Sequence, residues 1–429
     1  SEGEMRNPAT KMILAAAMIA AASCSHSGAE WISLEYYKGL NPSKSFIPFS
    51  EGSSTFDNDA LMACTLPGGE ETVADALAGE TKTTSTNGLG LFTSLISMWH
   101  SNNIRSYCGT YMSTDIDGKP IKVSGRITLP ADGKVSRILV ATHFTITADR
   151  EAPSNTVTLE SMFAAHGLAV IEPDYIGYGL TANKIHPYLC ADVTARNVVD
   201  MYLAALPFLE AIDCKPKYDD IFLLGFSQGG AVTMSVAHEF EFNHPEVDIR
   251  LVMAGGGPYD ICATYDQLIE NDFTDYPCAI PMIIQGLDFG MNLGLDYNYF
   301  FLPRMVGNMD EWINSKKYTM ANITTLIGSN YISSILTPEA RNKSGEGMTK
   351  LYKAMVDNSV VNEWPIESPL YLFHSIDDKV VPFVNAYNLA KEMEGYNVTY
   401  NFGHFGKHTN ACVRFMFSCI DLLEKHGDI

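Results

Sequence analysis

The pattern of hydrophobic positions changes at about residue 107. Two stretches of alternating, strand-forming residues, 107–113 and 121–129, flank a turn at 115–118 and predict a β-hairpin. Beyond the hairpin, helical segments separate short, continuous apolar runs at residues 138–141, 168–171, 221–224 and 249–253. Short apolar strands between helices are typical of a parallel sheet that is buried on both faces.

One long segment interrupts this alternation. Residues 258–365 contain helical and irregular stretches that are rich in Met, Phe and Tyr. The strand pattern then returns at 370–373, and a helix, a strand at 398–402 and a last helix follow it. A sheet that is interrupted once predicts a single core domain with an inserted, mainly helical cap.

The chain therefore divides into five predicted segments. They are a leader at 1–24, an N-terminal tether and helical extension at 25–105, the first part of the core at 106–257, the cap at 258–365, and the second part of the core at 366–429. The predicted fold class is α/β, with a mostly parallel central sheet flanked by helices. No motif in the second segment indicates a function.

Composition excludes some classes of function. The chain has 429 residues, of which 46% are hydrophobic and 18% are charged, so it can bury a large core. Its net charge at pH 7 is −21. A chain this acidic repels the phosphate backbone, so we expect no nucleic-acid partner.

The first 24 residues are typical of an export signal. Arg6 and Lys11 accompany an apolar run at 12–22 that is too short to span a bilayer, and small residues then lead to Cys24. This pattern predicts a bacterial lipoprotein, periplasmic or on the cell surface, that contacts the membrane only through lipid on Cys24. The alternatives are an ordinary signal peptide cut nearby and a buried N-terminal helix.

Eight cysteines follow Cys24 in the chain. They are Cys64, Cys108, Cys190, Cys214, Cys262, Cys278, Cys412 and Cys419. In an exported protein they allow up to four disulfides, but the sequence does not fix a pairing. No CxxC pair or Cys/His cluster has the spacing of a zinc site, and we expect neither a metal nor a cofactor.

The candidate nucleophile is Ser227, within the pattern Gly225-Phe226-Ser227-Gln228-Gly229. A reactive serine on a tight strand-to-helix turn needs glycine two residues to either side, because side chains there would collide with backbone. An apolar strand comes directly before this motif and a helix directly after it, as such a turn requires. The alternative is a glycine-rich turn without catalysis.

A serine hydroxyl needs a base and an orienting acid, which follow such a nucleophile in the order acid, then histidine. Asp378 lies in the loop after the strand at 370–373, and we favour it as the acid over Asp377. His408 lies in the loop before the last helix, and we favour it as the base over His404. The alternative for both histidines is an exposed loop position without a role.

Two backbone N–H groups are needed to stabilise the negative oxygen of the intermediate. One is predicted to be that of Gln228, directly after the nucleophile. The second should follow the strand at 138–141, where Phe144 and Thr145 are both candidates.

With these motifs the chain resembles the α/β-hydrolases, and in particular the secretory-lipase branch and related bacterial esterases. The segments at 121–130, 172–179 and 186–188 are similar as well, so that the resemblance spans residues 107–429. It implies a triad of Ser227, Asp378 and His408 and hydrolysis through an acyl-enzyme. Members of such families often have glycine where this chain has Phe144, which puts the second N–H donor in question and narrows the expected acyl pocket.

The predicted function is serine-dependent hydrolysis of carboxylic esters. The cap contains a cluster of apolar residues that either lines an acyl pocket or packs the cap itself, and a lining role favours a small-molecule ester with an apolar or aromatic acyl group. This cluster comprises Phe289, Met291, Leu293, Leu295, Tyr297, Tyr299, Phe300, Phe301 and Met305. The alternatives are a serine peptidase or amidase on the same fold and a surface lipoprotein that binds glycan or lipid without catalysis. The oligomeric state is not predicted.

Overall fold

The computed structural model describes residues 39–83 and 103–429. The predicted leader, with its lipidation site at Cys24, lies outside the described residues. The proposed segment boundaries at 24, 105, 257 and 365 stay predictions.

A ten-stranded sheet forms the centre of the described chain. Its strands are β1 (Ile47–Pro48), β2 (Ser54–Phe56), β3 (Ile104–Thr114), β4 (Pro120–Pro130), β5 (Arg137–Thr142), β6 (Leu168–Pro173), β7 (Lys217–Phe226), β8 (Asp248–Gly255), β9 (Leu370–Ser375) and β10 (Val398–Gly403). The order across the sheet is β1-β3-β4-β6-β5-β7-β8-β9-β10, and β2 also pairs with β3.

The sheet has an antiparallel end and a parallel body. Strands β3 and β4 form the predicted hairpin, and β4 pairs antiparallel with β6. From β6 through β5, β7, β8 and β9 to β10, every pairing is parallel. The segments that follow β5, β6, β7, β9 and β10 therefore leave the sheet at one common edge. This arrangement confirms the predicted α/β fold class with a mostly parallel sheet.

Helices flank the sheet. The α-helices are α1 (Asn58–Met62), α2 (Val73–Thr83), α3 (Ala191–Ala211), α4 (Gln228–Asn243), α5 (Ile261–Asn271), α6 (Ala279–Met291), α7 (Tyr297–Phe300), α8 (Pro303–Val306), α9 (Met320–Ile327), α10 (Pro338–Arg341), α11 (Glu346–Asp357), α12 (Val384–Glu392) and α13 (His408–Lys425). Helix α3 packs against α4 and β3, whereas α13 packs on β8 and β9. Burying one large apolar side chain between these layers stabilises the fold by about 1.5–3 kcal/mol.

Shorter helical turns complete the chain. They are Asp149–Glu151, Leu159–His166, Gly179–Thr181, Ile332–Ser334 and Val360–Asn362, which are 3₁₀ helices, and Asp310–Asn314, which is a π-helix. The predicted helical segment between the apolar runs at 138–141 and 168–171 thus contains a helix of the tighter 3₁₀ type, Leu159–His166. This helix ends at Gly167, whose φ of +90° is accessible to glycine without strain.

Residues 47–56, which the sequence analysis assigns to a tether, contribute two short strands to the sheet. Phe46 is fully buried, and its ring lies 5.2 Å from that of Phe208 on α3. The backbone N–H of Phe46 also donates to the carbonyl of Ala204, at 2.7 Å. The strands are two and three residues long, too short to show a period in the sequence.

The segment between β8 and β9 is helical, with α5 to α11 in it, although these two strands are neighbours in the sheet. Phe300, Phe301 and Met305 of the predicted apolar cluster are each at most 1% exposed. These three residues pack the interior of the cap. Met291, by contrast, is 40% exposed.

The eight cysteines of the described ranges are all free. None of the disulfides that the sequence allows is therefore formed among them. Burial raises the pKa of Cys190 and of Cys278 to about 12, so both thiols stay protonated near neutral pH.

Two glutamates are buried together beside β4 and β6. Glu160 and Glu172 are each 1% exposed, and Arg126 lies directly across the strand pair from Glu172. Glu172 accepts hydrogen bonds from the hydroxyls of Thr158 and Ser161, whereas Oε1 of Glu160 has no partner among the described residues. Burial, with the neighbouring Glu172 carboxylate, raises the pKa of Glu160.

We expect Glu160→Gln to flatten the fall of stability at alkaline pH. A carboxyl whose pKa is raised by folding stabilises the protein fully below its ordinary pKa of about 4.3, and this contribution is lost as pH rises through the raised value. The free energy of unfolding in urea, measured from weakly acidic to alkaline pH, should therefore fall less in Glu160→Gln than in the wild type. The exposed Glu424→Gln is the control and should follow the wild type. Parallel curves for the wild type and Glu160→Gln would contradict the expectation.

Candidate active site

Ser227 lies on the sharp turn between β7 and α4. Its backbone has φ +58° and ψ −127°, a strained combination for a residue with a side chain. A Cβ at position 225 would lie 2.0 Å from the carbonyl oxygen of Gly229, and one at 229 would lie 2.1 Å from that of Thr142. Both flanking glycines are thus required by close backbone approach.

His408, the first residue of α13, connects the serine to an acid. Its Nε2 lies 2.9 Å from the hydroxyl oxygen of Ser227, and its Nδ1 lies 2.5 Å from Oδ2 of Asp378. The side chains of His408 and Asp378 are 2% and 0% exposed. With Nδ1–H donating to the carboxylate, Nε2 is free to accept the serine proton.

The loop after β9 holds the side chain of Asp378 in place. Oδ1 accepts the backbone N–H groups of Val380 and Val381, each at 2.9 Å. His374 on β9 donates through Nε2 to the carbonyl of Val381. Burial lowers the pKa of His374, so its ring is neutral. The carboxylate is therefore fixed by backbone donors and faces His408 with its other oxygen.

Asp377 and His404 form a separate pair at the surface. Nδ1 of His404 lies 2.8 Å from Oδ1 of Asp377, and the two side chains are 75% and 42% exposed. The hydrogen bond from His404 holds the pKa of Asp377 below its ordinary value. The structure thus brings Asp378 and His408, but neither Asp377 nor His404, into contact with Ser227 through this chain of hydrogen bonds.

His143 orients the peptide between Phe144 and Thr145. Its Nδ1 lies 2.7 Å from the carbonyl oxygen of Phe144, and its Nε2 lies 2.9 Å from that of Asp174. Burial lowers the pKa of His143 to about 4, so the ring is neutral and donates to one of these oxygens at a time. Because the peptide is trans, a carbonyl of Phe144 that faces His143 directs the N–H of Thr145 the opposite way.

A second buried histidine holds the residue after the nucleophile. Nδ1 of His186 donates to the carbonyl of Ile176, at 2.7 Å, so its Nε2 is an acceptor. The side-chain amide of Gln228 donates to that Nε2, also at 2.7 Å. Sequence reasoning missed this role, and the one signal was the place of His186 in a segment that resembles the family.

A buried lysine, Lys316, lies against the ring of Tyr178. Nζ of Lys316 lies 4.6 Å from the ring centre of Tyr178, whose hydroxyl donates to the carbonyl of Ile146. Lys316 is 7% exposed, and burial lowers its pKa to about 8. Its positive charge and the Tyr178 ring attract each other across this distance.

The site contains no evident place for a metal. Within residues 39–83 and 103–429, no group of three or more His, Cys, Asp or Glu side chains could hold an ion. The arrangement that is present, a hydroxyl next to an imidazole that a carboxylate orients, suits nucleophilic attack on a carbonyl carbon.

Comparison with known proteins gives a family and several structural relatives. The family model for secretory lipase matches residues 152–416. No curated protein matches the chain.

Solved structures share the fold at low sequence identity. The rice cell wall degrading esterase LipA of Xanthomonas oryzae has a TM-score of 0.68 and 19% identity, over 89% of this chain and 96% of that one. A Legionella pneumophila protein classed as a hydrolase has a TM-score of 0.67 and 17% identity, over 87% and 96%. Candida antarctica lipase A has a TM-score of 0.54 and 15% identity, over 72% and 74%. These relatives confirm the predicted α/β-hydrolase fold, and at such identities they show the fold alone.

The two adjacent aspartates provide a matched test of the site. We expect Asp378→Asn to slow covalent labelling of Ser227 by a fluorophosphonate by roughly 10⁴-fold, because the amide no longer fixes the correct tautomer of His408. Asp377→Asn should label at the wild-type rate. Labelling is followed by mass spectrometry of the intact chain, after circular dichroism has shown that both variants are folded. Equal rates in the two variants would argue against Asp378 as the orienting acid.

Proposed function

The chain belongs to the secretory lipase family, as its motifs predict, and we propose that it hydrolyses carboxylic esters with Ser227 as the nucleophile. The observation that carries this proposal is the buried hydrogen-bonded series from Ser227 through His408 to Asp378, with contacts of 2.9 and 2.5 Å. The chain order of nucleophile, acid and base agrees with it.

In the proposed first half-reaction, the Ser227 oxygen attacks the ester carbonyl carbon while Nε2 of His408 takes the hydroxyl proton. The resulting oxyanion accepts hydrogen bonds from the backbone N–H groups of Gln228 and Thr145. The intermediate then collapses, its bond to the alcohol oxygen breaks, and His408 gives its proton to that oxygen. An alcohol leaves and the acyl group stays on Ser227.

Water completes the cycle. His408 takes a proton from a water molecule as the water oxygen attacks the acyl carbon. Collapse of this second intermediate releases the carboxylic acid, and the proton on His408 returns to Ser227. In both half-reactions, Asp378 orients His408 and stabilises its protonated form.

Of the two candidates for the second N–H donor, we favour Thr145 over Phe144. The contact of His143 with the Phe144 carbonyl supports this choice, since it fixes the direction of the Thr145 N–H. A hydrogen bond between the hydroxyls of Thr145 and Tyr188, at 2.8 Å, holds the same residue from the other side. Loss of one such donor typically costs about 10²–10³ in rate.

We propose an apolar or aromatic acyl group in the substrate. Phe144 is bulky where such families often have glycine, and it stands beside the donor peptide, where it limits the width of an acyl pocket. Phe289 and Leu293 of the apolar cluster are partly exposed, and we propose that they contact the acyl group.

We further propose that the protein is an exported lipoprotein held to a membrane by lipid on Cys24. Membership in a family of secretory lipases agrees with export. In the part of the chain that the structure describes, no helix combines the length and apolar character needed to cross a bilayer. The leader sequence is therefore the basis of the proposed anchor.

We expect the wild-type protein to hydrolyse a series of p-nitrophenyl esters from acetyl to long acyl chains, with an optimum that reports the length of the acyl pocket. Ser227→Ala should abolish turnover. His408→Ala should lower kcat by several orders of magnitude, and His404→Ala should leave it unchanged, because His404 contacts Asp377 instead of Ser227.

Release of p-nitrophenol under initial-rate conditions gives these values. The p-nitroanilides with the same acyl groups test the peptidase alternative in the same assay. A preference for the anilides, or activity retained in folded Ser227→Ala, would overturn the proposed function.

A further inference from the structure

A loop from the N-terminal part of the chain reaches the active site. Thr65 and Thr72 pair as an antiparallel bridge, and the N–H of Leu66 donates to the carbonyl of Glu71, at 2.8 Å. These contacts close residues 64–73, here termed the clasp, into a tight loop. Its tip is Pro67-Gly68-Gly69, in which Pro67 and Gly68 are buried.

The tip of the clasp is inserted into the cap. The hydroxyl of Tyr276 donates to the carbonyl of Pro67, at 3.1 Å, and the N–H of Ala321 donates to that of Gly68, also at 3.1 Å. Gly68 and Gly69 have φ of +105° and +80°, and a Cβ on them would lie 2.0 Å from the Tyr276 hydroxyl and 2.6 Å from Cγ2 of Thr319. Only glycine allows the loop to approach the cap this closely.

The same carbonyl also contacts the helix that begins with His408. The hydroxyl of Thr409, the next residue, donates to the Pro67 oxygen at 3.2 Å. Burial raises the pKa of Tyr276, so its hydroxyl keeps the proton that it donates to the Pro67 oxygen. The clasp, the cap and the first turn of α13 therefore meet at one oxygen atom.

The contact between Thr409 and the Pro67 carbonyl, here termed with the Tyr276 contact the junction, lies at the first turn of α13. The first turn of a helix has backbone N–H groups without helical partners, and a side chain at the N-cap usually accepts one of them. Lys407, the N-cap of α13, makes no such side-chain bond. Thr409 thus provides a side-chain anchor for the turn that carries His408.

We propose that Thr409 and Tyr276 are positioning residues for His408, and that they act through the carbonyl of Pro67. This inference rests on the proposed function of His408 as the base. The hydroxyl of Thr409 holds the first turn of α13 against the clasp. Tyr276 belongs to the cap and donates to the same carbonyl, so the position of that carbonyl depends on the position of the cap. A displacement of a catalytic group by about 1 Å can cost about 10²-fold in rate. Movement of the cap away from the clasp would therefore lower activity even with the three catalytic side chains intact.

The test uses variants that remove one hydroxyl each. Thr409→Val and Tyr276→Phe should each lower kcat for a short p-nitrophenyl ester by about tenfold, with KM nearly unchanged. Thr409→Ser keeps the donor and should restore the wild-type kcat. Tyr218→Phe is the control, because its hydroxyl donates to the carbonyl of Cys214, at 3.0 Å, and lies outside the junction.

The double variant tests whether the two hydroxyls act together. The kcat of the double variant should be no lower than that of the less active single variant, because the two hydroxyls act through the same oxygen atom. Unchanged kcat in folded Thr409→Val and Tyr276→Phe, a change in KM alone, or failure of Thr409→Ser to restore kcat would each overturn the inference. If one variant does not fold, the other tests the same junction from its opposite side.

Fluorophosphonate labelling of Ser227 separates this inference from the proposed function. A wild-type protein that labels but does not hydrolyse esters would refute the ester assignment, and slower labelling of Thr409→Val would still support the junction. A folded wild-type protein that neither labels nor hydrolyses esters would overturn both.

Discussion

The backbone of Ser227, with its positive φ, has to be held in place by the strands on either side of β7. A side chain in this conformation costs about 1–3 kcal/mol, and the surrounding structure has to hold it there. The hydroxyl of Thr142 does so from the neighbouring strand, because it lies 3.1 Å from the carbonyl oxygen of Leu224 and 2.8 Å from that of Gly229, and its one proton is donated to either of them. The N–H of Ser227 donates to the carbonyl of Gly255 on the other neighbouring strand. The serine is thus fixed by strands β5 and β8 on either side of β7.

The parallel sheet explains why residues far apart in sequence meet at this turn. Asp378 follows β9, His408 follows β10 and the His143 loop follows β5, so all three leave the same edge of the sheet as Ser227. Burial of His408 and Asp378 then removes competing water and strengthens their interaction. A buried carboxylate is costly unless it is fully paired, and two backbone N–H groups together with Nδ1–H of His408 provide that pairing for Asp378.

Much of this arrangement could be predicted from the sequence, because the relevant signals are local. The apolar runs at 221–224 and 370–373 predict buried strands, and the glycines on either side of Ser227 are the local signature of a tight strand-to-helix turn. The choice of Asp378 over Asp377 and of His408 over His404 followed from placement relative to predicted elements, and the structure brings the favoured pair to Ser227. The roles of His143 and His186 depend on contacts between loops that follow different strands. The spacing of hydrophobic residues along the chain does not indicate such contacts. The short strand at Ile47 and the contact of Pro67 with Thr409, 342 residues apart, were beyond prediction for the same reason.

In the proposed reaction, Ser227 forms a covalent acyl intermediate that His408 helps to make and to break. The most direct measurement is rapid mixing of the enzyme with excess p-nitrophenyl ester, followed by mass spectrometry of the quenched protein. We expect an initial burst of p-nitrophenol that approaches one equivalent per chain when deacylation is the slower step, and an acyl adduct on the peptide that contains Ser227. Ester turnover in which quenched samples carry no adduct on that peptide at any acyl length, or carry it on another residue, would contradict the account.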